Sequence, residues 1–173
     1  MTTAAFDPPP RIPATGHWLY EPVAKRSQVA IQLLMFMGWI AVTGIGAWLK
    51  PSPDLHGTHQ ELGFPPCPCA MFLDRPCPGC GLTTSWSALI HGNLSMAFAA
   101  NACGPLLYLC FTALSVIALI GFVLRRRLRT DARWFQRVAT TVFWVFVIYG
   151  VARFAVTPHY ATQYERMLIG RNK

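Results

Sequence analysis

The stretch Pro105-Leu106-Leu107-Tyr108-Leu109-Cys110-Phe111-Thr112-Ala113-Leu114-Ser115-Val116-Ile117-Ala118-Leu119-Ile120-Gly121-Phe122-Val123-Leu124 carries no charge over about 20 residues. At 1.5 Å per residue it is long enough, as a helix, to cross a hydrocarbon layer roughly 30 Å thick. Two further runs behave alike. Val29 to Leu49 is uncharged, with Gln32 and Thr43 its most polar members, and Val138 to Val156 is interrupted only by Arg153. No run shows the polar face that a helix of a soluble bundle needs. With 53% hydrophobic and 13% charged residues over 173 positions, the chain reads as all-α: an integral membrane protein of three transmembrane helices and a cysteine-rich extracytoplasmic loop carrying short amphipathic helices. The lipid bilayer is its first partner.

The net charge of +8 invites a nucleic-acid reading, which its distribution excludes. Arg125, Arg126, Arg127, Arg129, Arg133 and Arg137 crowd the short link between the second and third runs. Such a cluster is the positive-inside signal of a cytoplasmic loop, with contact to anionic lipid. The expected organisation is a disordered cytoplasmic tail at 1–27, a transmembrane domain at 28–156 with an outer loop at 50–104, and an interfacial tail at 157–173. The N-terminal tail is proline-rich (Pro8-Pro9-Pro10, Pro13, Pro22), and Lys25-Arg26 precedes the first span. That span starts too late and runs too long for a cleaved leader. Its Gly38, Gly44 and Gly46 predict close helix approach.

The outer loop holds Cys67-Pro68-Cys69-Ala70-Met71-Phe72-Leu73-Asp74-Arg75-Pro76-Cys77-Pro78-Gly79-Cys80-Gly81, four of the chain's six cysteines. In Cys77-Pro78-Gly79-Cys80-Gly81 the proline restricts the backbone and Gly81 can take the left-handed turn. This knuckle presents sulfurs for a metal, a disulfide or redox exchange. The site residues are therefore Cys67, Cys77, Cys80 and Cys69, as disulfides or around one zinc ion, with Cys67 expected nearest the knuckle and Cys69 peripheral or facing Cys103. His56 and His59 are possible additional ligands, although Gly57 between them favours hydrogen-bonded loop histidines. Cys103 and Cys110 read as small apolar residues.

Thr83 or Thr84 is expected to cap a short helix ending at His91, with Leu82, Trp86, Leu89 and Ile90 on one face. Gly92 ends it, and Asn93 caps the next piece. Arg153 is expected to snorkel or to pair with a carboxylate such as Asp74. Tyr160, Tyr164 and Leu168 form a stripe, with Arg166 and Arg171 off it.

Cys67, the run Cys77-Pro78-Gly79-Cys80-Gly81-Leu82-Thr83 and the helix ending His91-Gly92-Asn93 resemble a family of small bacterial membrane proteins catalogued as a domain of unknown function. Its mark is C-P-x-C-G-[LM]-T, and the resemblance covers about Pro51 to Leu124. Members often carry arginine after the threonine, where this chain has Thr84. The resemblance implies a bacterial cell (inner) membrane and no established activity.

No phosphate-binding loop, nucleophile elbow or paired intramembrane carboxylates accompany the cysteines. Three readings stand. The first is a non-enzymatic scaffold or accessory subunit, stapled by disulfide or zinc, working with other membrane subunits or as a homo-oligomer and with no nucleic acid. The second is a membrane thiol–disulfide oxidoreductase using Cys77 and Cys80. The third is a transporter or channel component.

Overall fold

The computed structural model describes residues 18–23, 29–168 and 170. The proline-rich stretch through Pro13, Lys25-Arg26, the Arg166 side chain and Arg171 lie outside the described residues. Strand β1 (Tyr20–Pro22) precedes helix α1 (Ala30–Trp48), and a 3₁₀ turn (Thr58–Leu62) leads to α2 (Pro68–Leu73), α3 (Leu82–Ile90) and α4 (Leu94–Ala100). Helix α5 (Cys103–Val123), strand β2 (Arg126–Leu128), α6 (Arg133–Val156) and α7 (Gln163–Leu168) complete the chain. Helices α1, α5 and α6 are long and apolar enough to cross a membrane, and no more than 17% of any of their membrane-length windows is buried. Such bare apolar surface is stable only against lipid or another apolar partner.

Spans α1 and α5 pack side by side and are pinned by polar pairs. Trp39 Nε1 donates to Thr112 Oγ1 at 2.9 Å, and the hydroxyls of Thr43 and Tyr108 meet at 2.9 Å. Deep in hydrocarbon these groups have no water to fall back on, so each pairing fixes register. The glycine expectation holds only in part. A Cβ on Gly38 or Gly44 would meet nothing within 4 Å, whereas one on Gly46 would lie 2.7 Å from Ile90 Cδ1 of α3.

The expected disordered tail needs correction at its end. Tyr20–Pro22 pairs antiparallel with Arg126–Leu128. The Tyr20 hydroxyl donates to Ile117 O at 2.8 Å, and Glu21 meets Arg129 at 3.1 Å and Arg127 at 3.4 Å. Buried Gln32 of α1 donates to Ala118 O and Arg126 O and accepts from Leu128 N. The arginine link is thus an ordered β-ribbon, because strand pairing with Tyr20–Pro22 and the Gln32 side chain satisfy its backbone.

Helix α3 is amphipathic the other way round from a soluble helix. Its buried residues are Thr84, Ser85, Ser87 and Ala88, while Leu82, Trp86, Leu89 and Ile90 are only half-buried. Its N-cap is Gly81 rather than Thr83 or Thr84. Thr84 instead shares a 2.8 Å hydrogen bond with Thr58, and Ser87 Oγ reaches Gly46 O and Leu49 O, among the last carbonyls of α1. Asn93 does cap α4, accepting from Met96 N at 3.0 Å.

Candidate metal centre

Cys67 is the residue before α2, whose first helical position is Pro68. A proline there loses no helical hydrogen bond, so the chain can turn sharply into α2 straight after Cys67. The helix ends at Asp74 in the left-handed conformation (φ 54°), and the chain returns through buried Pro76 to the knuckle. There Cys80 N donates to Cys77 O at 3.0 Å and Cys77 N donates to the Cys80 sulfur at 3.2 Å.

Two turns therefore converge three sulfurs. Cys77 Sγ lies 3.5 Å from Cys67 Sγ and 3.3 Å from Cys80 Sγ, and all three fall within 4.8 Å of one another. A tetrahedral ion with metal–sulfur bonds of about 2.3 Å has ligand edges of roughly 3.8 Å, so modest spreading admits a zinc ion. Hydrogen bonds from Cys77 and Cys80, aided by the Ala70 and Cys69 amides, hold the Cys67 thiol far below its ordinary range despite burial. The same contacts from Cys67 and Cys77, with burial, push Cys80 far up. Because metal ligation requires the thiolate form, binding of a cation would release the protons that these thiols retain.

Cys69 stays outside the triad. Burial, then the charges of Cys67 and Cys77 and a side-chain hydrogen bond with Cys67, raise its thiol. Both histidines line the same cleft of about 440 Å³ as the triad. His56 is occupied: Nδ1 meets Asp54 O at 2.9 Å, Nε2 meets Glu165 Oε2 at 3.0 Å, and its ring stacks on Tyr160 with centroids 4.3 Å apart. His59 Nε2 rests 3.2 Å from Pro65 O. Burial opposes the His56 imidazolium, but Glu165 and the Asp54 carbonyl outweigh it and raise the pKa. Burial likewise opposes the Glu165 carboxylate, and His56 and Thr162 hold it below its usual range.

The knuckle is anchored from behind by residues the sequence did not single out for this. Arg153 of α6 donates to Cys80 O at 2.7 Å, Ala100 O at 2.8 Å and the Tyr160 hydroxyl at 3.2 Å. Buried Asn101 donates to Pro78 O and Cys80 O. Pro78 sits on Gly150, where any Cβ would collide with its ring. The expected Arg153–Asp74 pairing is thus not the one adopted. Asp74 accepts from Ala161 N at 2.8 Å and meets His159 at 3.3 Å, while Arg75 donates to Phe154 O and Ala155 O at the end of α6.

The Tyr160–Tyr164–Leu168 stripe is corrected as well. Tyr160 faces inward onto His56, Glu165 is fully buried, and Tyr164 and Leu168 are exposed. A readable signal was present in Thr162-Gln163-Tyr164-Glu165, a capping box: Thr162 N donates to Glu165 Oε2 and Glu165 N to Thr162 Oγ1. For Asn101 and Arg75 no local pattern exists, since their acceptors are distant backbone carbonyls.

Residues 67–115 match the model of a family described as a protein of unknown function (DUF2752), a segment running from the triad through α3 and α4 into α5. No curated protein and no solved structure matches the chain.

Proposed function

We propose that this chain is a non-enzymatic membrane scaffold or accessory subunit whose outer loop is stapled by one divalent metal ion at Cys67, Cys77 and Cys80. Zinc is the ion that thiolate donors suit best. The convergence of three sulfurs, rather than two, carries this reading. A disulfide would use two of them and strand the third. The metal would tie α2 to the knuckle, and through Arg153, Asn101 and Pro78 to the third span. The setting we propose is a bacterial inner membrane, with N-terminus and arginine link cytoplasmic, loop and C-terminus outside, and other membrane subunits or further copies as partners.

Protein purified without chelator should carry about one zinc per chain, with Cys67, Cys77 and Cys80 unreactive until the metal is stripped. Cys77→Ser and Cys80→Ser should lose the metal, and Cys69→Ser should keep it. Metal-free wild-type protein with one disulfide would overturn the proposal. That result would favour the second reading, thiol–disulfide exchange by Cys77 and Cys80, which the 3.3 Å approach of their sulfurs supports.

A further inference from the structure

We infer that the metal centre keeps an exchangeable fourth position, open to the cleft, that accepts a small neutral nitrogen or sulfur donor. This rests on the metal reading above. Closed structural zinc sites have four protein ligands, whereas sites that take an outside ligand have three and a free position. Among the described residues, the group of candidate ligands within 4.8 Å of one another contains only Cys67, Cys77 and Cys80.

The nearby alternatives are each held elsewhere. His56 cannot swing to the metal without abandoning the buried Glu165 carboxylate, 3.0 Å from its Nε2. His59 is engaged by the Pro65 carbonyl at the cleft wall. Cys69 lies outside that group, and its thiol is taken up by a hydrogen bond with the Cys67 sulfur. Nor can the knuckle shift to recruit them. Arg153 and Asn101 hold the Cys80 carbonyl, and Gly81 (φ 75°) abuts Ala100 O and Leu55 O so closely that a Cβ would overlap both.

What remains beside the triad is a cleft of about 440 Å³, walled by Phe64, Pro65 and Pro66 with Thr83 among its few polar groups. That volume suits a small molecule. The charge selects its class. A dication with three thiolates bears one net negative charge, and among the described residues no lysine or arginine lines the cleft. The Arg153 guanidinium is spent on carbonyls on the far side of the knuckle. A fourth anion would meet uncompensated repulsion in a poorly polar cleft, whereas a neutral donor would not. Its apolar body would rest on the aromatic and proline wall.

Cobalt(II) loaded into the full-length protein in detergent tests this, because its visible d–d bands report the ligand set. Imidazole should shift those bands, with a half-saturation concentration at least about tenfold below that of azide, about 1.4 kcal/mol. Cys69→Ser and His59→Ala should leave the starting spectrum unchanged. A starting spectrum altered by either substitution would mean an internal fourth ligand and would overturn the open position. No response to imidazole, or an equal response to azide, would overturn it too. Cobalt that fails to bind, or binds equally to Cys77→Ser, would sink the metal reading itself, which separates the two failures.

Discussion

At the scale of single residues, the His56–Glu165 pair has the clearest consequence. Glu165 is fully buried and anchors α7 to the loop through His56 and Gln60, while Thr162 caps the helix on it. The His56 pKa is raised from 6.5, so its contribution is complete below that value and is lost as pH rises through the folded pKa. The Glu165 pKa is lowered from 4.5, so its contribution is present above that value and is lost as pH falls through the folded pKa. Attachment of the C-terminal segment should therefore be strongest between these values and weaken on either side. Limited proteolysis after Thr157 across pH should show a minimum of cleavage in that window. His56→Ala should remove the minimum and cost about 3 kcal/mol by taking from a buried carboxylate its one charged partner among the described residues. A flat cleavage profile in the wild type would contradict the assignment.

At the scale of elements, the third span is held differently from the other two. Helices α1 and α5 meet along their length, whereas α5 and α6 leave an apolar groove of about 610 Å³ between Leu107, Leu114, Val138 and Phe143. The outer end of α6 is instead fastened to the loop by Arg153, by Tyr149, whose hydroxyl accepts from Ala102 N at 3.0 Å, and by Gly150 beneath Pro78. Arginine suits this post because its planar fork donates to two carbonyls at once, which a lysine cannot reproduce. Arg153→Lys should lower thermal stability by about 1–3 kcal/mol, the cost of a buried acceptor left unmet. It should also loosen the triad, read as faster loss of zinc to chelator. Unchanged zinc release in that variant would show that α6 and the knuckle are not coupled.

At the scale of the whole molecule, the two ends separate by composition. The β-ribbon with its arginines caps one end, and the loop and C-terminal segment meet at the other through Asp74, Arg75 and Glu165. An odd number of spans requires this segregation. A membrane-impermeant thiol reagent, applied to intact cells after chelation and reduction, should label Cys67 to Cys80. Labelling only after lysis would invert the orientation.

The sequence by itself determined the three spans, since uncharged runs of that length have no other stable home, and it determined that the knuckle presents sulfurs, since proline and glycine spacing is a local matter. It also marked Cys67, ahead of Cys69, as the nearer of the two to that knuckle. Tertiary structure alone decided the rest. Which face of α3 is buried depended on hydroxyls finding the final carbonyls of α1, and an apolar environment outside reverses the usual rule for amphipathic helices. Arg153 went to carbonyls rather than to Asp74, and Glu165 rather than Tyr164 went inside, because those partners lie far along the chain. Periodicity and motif report what a segment can do with its neighbours in sequence. A buried charge answers to whatever polar groups the fold leaves unsatisfied around it.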